Sequence, residues 1–515
     1  MSNNDSHCGR CNNPCPYRTH CVNSKCVCDE GFGDCDGNAN NGCEAAFNTD
    51  KDNCGECGKK CELQNVKNAF CKDKSCDYNE CLIEYTDADK DRTNGCETWS
   101  YFPKVYYYKN INLPISVKQL SNGNILLVAI IGDSIPMESI INVVSILDRN
   151  GEILFSRKIF NDDYLIFIND VEIDSNKKII LSGFARDKQR KYRGIIIHMS
   201  EALDIITAKL YESDGDIKIN NMQIVEGSYY IDGSYNSNLF ISEISPEKIS
   251  SVYLSYNYSS FSGNFLYLKD DGLYITLFTY TMPTQYSFIA KLSNSLDNIL
   301  YSKEITNGYS AQSIFRNKSG KLYIEFGGKG QDNTSFISIA NITQNAFVLT
   351  NRKILSKDGK GIIPNFTNIS DTYIDLLSFV IEKGSYVYNN LFIRLDQDIN
   401  KVISKKLVSN LAFSSSIMCP IDYSGGSILV GVPSETDTNS SKIVIYSINS
   451  NGEISANCPQ DIYSEYDIDI QTDNNVPMRD YTISLHPFIL NENDINIYNS
   501  SIDGNVDKIC SPPDN

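Results

Sequence analysis

Fifteen of the eighteen cysteines lie between Cys8 and Cys96, and only Cys419, Cys458 and Cys510 follow. No evenly built domain distributes cysteine in this way. A short segment that cannot bury enough apolar surface is stapled covalently, and the long remainder folds by ordinary burial. This places the chain in an oxidising setting, extracellular or at a cell surface. The opening MSNNDSHC carries no apolar stretch, so an export signal removed before residue 1 is expected. Ser2–Asp5 also suits the polar tether behind a lipid-modified cysteine, so a lipid anchor at the native N-terminus is a second expectation.

The stapled segment is an internal repeat. Unit one, residues 8–44, holds Cys8, Cys11, Cys15, Cys21, Cys26, Cys28, Cys35 and Cys43. Unit two, residues 54–97, holds Cys54, Cys57, Cys61, Cys71, Cys76, Cys81 and Cys96. The tails GFGDCDGNANNGCE and EYTDADKDRTNGCE align without a gap, and Cys35 falls opposite Ala88. An odd count in unit two and three cysteines downstream call for one bridge between the regions. With Cys28 paired to Cys35, Cys81 becomes the orphan and Cys419 its expected partner; Cys458–Cys510 would close a C-terminal loop. The Cys8/Cys11 and Cys54/Cys57 spacings suit zinc, but zinc sites do not come with so many further cysteines interleaved. All eighteen are expected in disulfides.

The string NTDKDNCGECGKKC with the tail GFGDCDGNANNGCE resembles the cysteine-rich modules of stigma-specific secreted proteins, especially the tandem forms of myxobacterial surface proteins. The resemblance covers residues 8–97. It implies an extracellular structural module and supplies no catalytic residues.

The repeated tails carry alternating oxygen ligands. Asp87, Asp89, Asp91 and Thr93, with Glu97 beyond, could wrap a hard cation. Asp34, Asp36, Asn38, Asn40 and Glu44 form the weaker copy. The spacing misses the EF-hand by one residue, and neither flank is helical. Asx-turns closed by glycine explain the same residues without metal. Calcium is the candidate ion for both loops, and no other cofactor is expected.

Beyond Trp99 a hairpin recurs, as in NVVSILDRNGEILFSRKI (142–159) and FIAKLSNSLDNILYSKEI (288–305). Its copies end at Ile159, Leu210, Tyr253, Ile305, Ile354, Leu407 and Cys458, in steps of 51, 43, 52, 49, 53 and 51 residues. Four strands occupy about that length, and such periods signal propeller blades. The expected fold is therefore mainly β: a seven-bladed propeller, with six or eight blades as alternatives, behind a small disulfide-rich, loop-rich module. Expected domains are 1–100, 101–460, and a short β appendage over 461–515 tied back by Cys510. The Val105–Ile111 segment resembles an outer strand and could lock the ring. The hairpin phrase resembles propeller repeats of bacterial secreted proteins, which have no fixed activity. It has no WD40 signature or sialidase-type turn.

The net charge is −18, and a phosphate backbone needs a basic face, so nucleic acid is excluded as a partner. The longest apolar run, Ile125–Ile131, is far short of the roughly 20 residues a bilayer span requires. Only His7, His20, His198 and His486 are present, scattered, and no catalytic signature occurs. Asp162/Asp163 and Asp270/Asp271 could act as acid and base at a propeller mouth, although both pairs lie in turn-like contexts. The leading expectation is a binding or structural protein whose stapled stalk presents a propeller to extracellular protein or glycan. A hydrolase or lyase on extracellular polysaccharide is the first alternative, and a subunit of an extracellular assembly the second.

Overall fold

A computed structural model describes residues 2–81, 85–86, 91–96, 98–99, 104–107, 111–132, 140–148, 151–255, 261–281, 284–305, 309–329, 334–345, 348–370, 372–381, 388–408, 417–421, 426–431, 443–448, 463–465, 468–472, 478–480, 484–502 and 505–508. These residues hold strands and no helix. The chain divides into two compact units, Met1–Tyr101 and Phe102–Asn515.

In the first unit each repeat folds as short hairpins. Thr19–Val22 pairs with Lys25–Cys28, and Val66–Lys72 with Ser75–Cys81. Their tight turns, Asn23-Ser24 and Asp73-Lys74, both adopt positive φ, the twist that suits a two-residue hairpin. Three bridges recur at matching positions: Cys8–Cys21 with Cys54–Cys71, Cys15–Cys26 with Cys61–Cys76, and Cys28–Cys43 with Cys81–Cys96. A seventh, Cys35–Cys57, joins the two repeats. The expected Cys28–Cys35 and Cys81–Cys419 pairings are thereby replaced, because the return strand of each repeat brings its last cysteine, Cys43 or Cys96, back beside Cys28 or Cys81. Cys11 is exposed and Cys419 buried; Cys458 and Cys510 lie outside the described residues. The repeated Asn-Gly-Cys-Glu has a steric cause. Gly42 and Gly95 have φ of +92° and +104°, and a Cβ there would stand 2.0 and 2.4 Å from the carbonyls of Tyr17 and Gln64.

The second unit is a ring of seven antiparallel sheets. Blade one runs outward through Ile111–Gln119, Ile125–Gly132, Ile141–Leu147 and Ile153–Phe160. Blades two to six repeat this order, ending at Ile205–Glu212, Ile249–Ser255, Ile299–Ile305, Val348–Ser356 and Val402–Val408. Blade seven is composite. Ile417–Ile421, Gly426–Gly431 and Ile443–Ile448 are completed by Lys104–Tyr107 from the start of the unit. The expected lock thus forms over these four residues, whereas Ile111 opens blade one. The second half of the expected seventh hairpin lies outside the described residues.

The stretch after 460 is not an appendage. It supplies a fifth, outermost strand to every blade. Tyr463–Glu465, Ile468–Thr472, Met478–Asp480, Ser484–Pro487, Asn491–Asp494 and Tyr498–Ser501 join blades six, five, four, three, two and one in turn. Asn505–Lys508 then joins blade seven, against Lys104–Tyr107. The chain therefore runs back round the rim as a belt.

Second strands are almost wholly buried, as in ILLVAIIG of blade one, because both sheet faces pack on neighbouring blades. The hydrophobic clusters accordingly lie between blades: Val128, Ile168 and Ile195 between one and two, Ile196, Ile219 and Phe240 between two and three. Polar groups are buried there too. Asn142 of blade one donates to Ile166 O at 2.9 Å and accepts from Ile168 N at 3.2 Å in blade two. Arg394 of blade six, fully buried, grips Asp375 through two bonds of 2.7 Å and reaches Ser427 of blade seven at 2.9 Å. Removing one partner of a buried pair strands the other charge. Asp375→Ala should therefore cost about 3–5 kcal/mol in urea denaturation, and a loss below about 1 kcal/mol would contradict the pairing.

Candidate functional site

Three places gather chemistry-bearing side chains. The first lies on the first and second strands of the blades. Lys118 of blade one meets Glu172 of blade two at 3.0 Å, with side chains 33% and 31% exposed. Burial works to lower the Lys118 ammonium, but Glu172 and Asp170 overcome it and hold it above its usual range. Asp170 accepts from Met222 N of blade three at 2.8 Å. Burial raises its carboxyl to about 6 even with Lys118 nearby. Asp232, almost fully buried, accepts from Asn221 N at 3.0 Å and Nδ2 at 2.8 Å, and burial raises it to about 7. In blade five, burial also raises Glu325, which accepts from Ser313 of its own blade and from Thr367 of blade six. Asp170 and Glu325 thus accept hydrogen bonds from the next blade, whereas Asp232 is held within blade three.

The second place is a cleft of about 380 Å³ on the face carrying the turns between first and second strands. Asp270, Asp271, Arg316, Lys321, Asn341 and Gln344 of blades four and five line it. Asp271 is fixed by Lys291 Nζ at 2.6 Å and Tyr274 OH at 2.5 Å, and these two side chains are buried. Lys321 pairs with Asp398 at 2.5 Å. Arg316 makes no ion pair among the described residues; its Nε donates to Gly320 O at 3.2 Å. A third group lines a cleft of about 410 Å³ on the opposite face of blade two, where Asp162 and Asp163 meet Arg186, Lys188 and Arg190. Lys188 reaches Asp163 at 3.1 Å, and Arg193 holds Asp187 at 2.7 Å, keeping that carboxyl below its usual range. Both acidic pairs singled out in the sequence therefore line clefts. The cations opposite them come from turns distant in sequence, which spacing does not reveal.

The histidines stay apart. His7 accepts from Asn12 N, and His20 pairs with Asp29 at 2.8 Å. His198 bonds Thr207 Oγ1 at 2.8 Å, and burial lowers its imidazole. His486, in the belt, meets Ser255 Oγ at 2.7 Å and stacks on Tyr253. Among the described residues no carboxylate orients the other nitrogen of His486, so a nucleophile relay is incomplete there.

In the cysteine-rich unit, carboxylate oxygens of Asp34, Asp36 and Glu44 lie within 4.8 Å of one another. Asn38 and Asn40 are turned to the local loop, since Asn38 N donates to Asp36 Oδ1 and Asn40 N to Asn38 Oδ1. Glu44 Oε1 accepts from Cys35 N and Asp36 N, at 2.8 and 3.1 Å. Asp34 Oδ1 is buried without a partner. In the second loop Asp91 Oδ1 accepts from Thr93 N at 2.9 Å; Asp87, Asp89 and Glu97 lie outside the described residues.

No protein-family model and no curated protein matches this chain. Among solved structures it is similar to hydrazine synthase of Kuenenia stuttgartiensis, at 9% identity over 66% of this chain and 96% of that one, TM-score 0.44. The polysaccharide lyase Uly1 is similar at 10% identity over 65% and 90%, TM-score 0.44. A thermostable family-43 glycoside hydrolase is similar at 13% over 48% and 93%, TM-score 0.29. Likeness at this level carries no argument about activity.

Asp170 and Asp232 hold protons in the fold to pH values well above the roughly 3.9 of an unfolded carboxyl. The native state thus binds more protons than the unfolded chain between about pH 4 and their raised values, and stability falls as pH rises through that window. Asp232→Asn keeps an oxygen toward Asn221 and removes one such uptake. Its urea midpoint should decline less steeply than that of the wild type from about pH 4 to 7. An unchanged slope would refute the assignment.

Proposed function

We propose that this chain is an exported or cell-surface binding protein whose propeller contacts extracellular protein or glycan and whose cysteine-rich unit is a rigid, disulfide-stapled module. One observation carries the reading. The interior ion pairs are closed, Lys118 to Glu172 across two blades and Arg394 to Asp375 within blade six, whereas mixed charged and amide groups line two open clefts, one on each face. Mixed charges and amides around an open cleft suit a polar, hydrogen-bonding ligand more than an apolar one. Seven bridges in one short unit support an oxidising compartment. The test is a glycan array probed with the full chain, followed by Arg316→Ala and by Arg186→Ala/Arg190→Ala. One of these variants should weaken a hit roughly tenfold or more with the far-ultraviolet spectrum unchanged. Hits that neither variant weakens would count against the clefts.

The hydrolase or lyase reading is favoured by Asp271, a carboxylate held by buried Lys291 and Tyr274 at the edge of a cleft. It expects purified protein to release reducing ends or unsaturated products from an extracellular polysaccharide. It also expects Asp271→Asn to abolish that release.

Calcium belongs to the same proposal. Asp34 Oδ1, buried and unpartnered beside Asp36 and Glu44, fits a hard cation. Asp34, Asp36 and Glu44 would hold it and stiffen the loop beside the Cys35–Cys57 bridge. Calorimetric titration with calcium should give saturable binding that Asp34→Ala removes. Identical heats from the variant would leave the Asx-turn explanation standing.

A further inference from the structure

We propose that the axis of the propeller ring binds a neutral sugar through an arc of side-chain amides on the innermost strands. The arc is written into the repeat. The innermost strands of blades one, two, three, five and six each carry a β-bulge near the middle, at Ile115, Asn169, Asn220, Gln312 and Asn365. Four of these five residues are amides, and blade four has Asn264 in the middle of its unbulged strand. Blades two to six thus present an amide in unbroken succession. A bulge re-aims a side chain at the expense of ladder pairing, so its recurrence under one residue type needs a cause.

Solvent reaches these positions. Neighbouring blades cover the faces of each sheet, so a residue exposed in the middle of an innermost strand opens onto the axis. Asn220 and Asn365 are exposed there, and Asn169, Asn264 and Gln312 are partly buried. The amides also keep hydrogen-bonding capacity in reserve. Asn169 donates Nδ2 to Ile219 O of blade three at 2.7 Å, and Gln312 donates Nε2 to Ser310 Oγ at 2.7 Å, which leaves the carbonyl oxygen of each. Asn220 and Asn264 make no side-chain hydrogen bond among the described residues. Glu325, in register with Ser313 beside Gln312, keeps Oε1 buried without a partner.

The chemistry of the arc selects its ligand. An amide offers donors and acceptors without net charge, and a sugar hydroxyl likewise donates and accepts. The charged groups beside the arc are already engaged. Asp170 accepts from Met222 N, Asp232 from Asn221 N, and Glu172 pairs with Lys118. An ionic ligand would therefore find no open counter-charge, whereas a polyhydroxylated ring can satisfy several amides at once. The ligand class rests on the glycan reading proposed above, at a place separate from both clefts.

The test is saturation-transfer NMR of the full chain with cellotriose, xylotriose and galactotriose, and with trigalacturonate as the charged counterpart of the last. A neutral probe should bind, and trigalacturonate should bind more weakly than galactotriose. Asn220→Ala/Asn264→Ala should weaken the binding roughly tenfold or more, with the urea midpoint unchanged because neither side chain is hydrogen-bonded in the fold. Asn220→Trp, which fills the axis from an exposed position, should abolish it. Arg316→Ala and Arg186→Ala/Arg190→Ala should leave it unchanged. Undiminished binding by the Asn220 variants, or trigalacturonate bound as tightly as galactotriose, would overturn the proposal. Loss of binding in an arginine variant alone would overturn the axial site and leave the clefts as the place of contact. Silence from every neutral trisaccharide would overturn it whatever the clefts bind.

Discussion

Seven sheets arranged radially leave seven outer edges, and satisfying those edges shapes the second unit. Each blade buries its faces against its neighbours, so the interior is settled once the ring closes. The outermost strand of each blade still has one row of N–H and C=O groups with nothing beside it. The chain answers with its own carboxyl end, which adds a short antiparallel strand to each blade in reverse order. Closure of blade seven by Lys104–Tyr107 and coverage of that same strand by Asn505–Lys508 bring both ends of the unit into one sheet. Loss of either end would open both the ring and its girdle at the same point.

The belt also explains a local peculiarity of the repeat. In the outer strands of blades one, two and three a small residue, Ser156, Ala208 or Ser251, is buried and its carbonyl receives the belt. Ser156 and Ser251 turn their hydroxyls inward onto Ser145 and Ser242, at 3.0 and 2.6 Å. Electrostatics helps the fit, since Lys209 bridges Glu492 and Asp494 of the belt at 3.0 and 2.8 Å.

Blade number and the locking strand were legible because hairpins of similar length recur with a stable period, and each period reflects one sheet. The belt was hidden because its strands are only three to five residues long and pair with nothing near them in sequence. Its signal is a seven-residue spacing of Phe488, Ile495 and Ile502 in an extended chain. A reader scanning for alternation misses that spacing, since it records the distance from blade to blade and not the pleat of a strand. The acidic pairs of both clefts were visible in the same way as the hairpins, as turn residues. Arg316 and Arg186 were invisible as their counterparts, because radial closure, and no local pattern, sets which turns share a face.

The cysteine-rich unit meets the same shortage of interior by other means. Its two repeats each close three loops internally, and the one bridge between them leaves from Cys35 and arrives at Cys57. The link therefore has a direction: the tail of one repeat bonds the Cys-x-x-Cys head of the next. Unit two carries Ala88 where unit one carries Cys35, so it receives this link and cannot pass it on. The uneven count of eight and seven cysteines, which looked like a bridge reaching into the propeller, is what a directional array needs at its last member. Among the described residues all seven bridges lie within this unit, and the crosslinks do locally what burial between blades does across the ring.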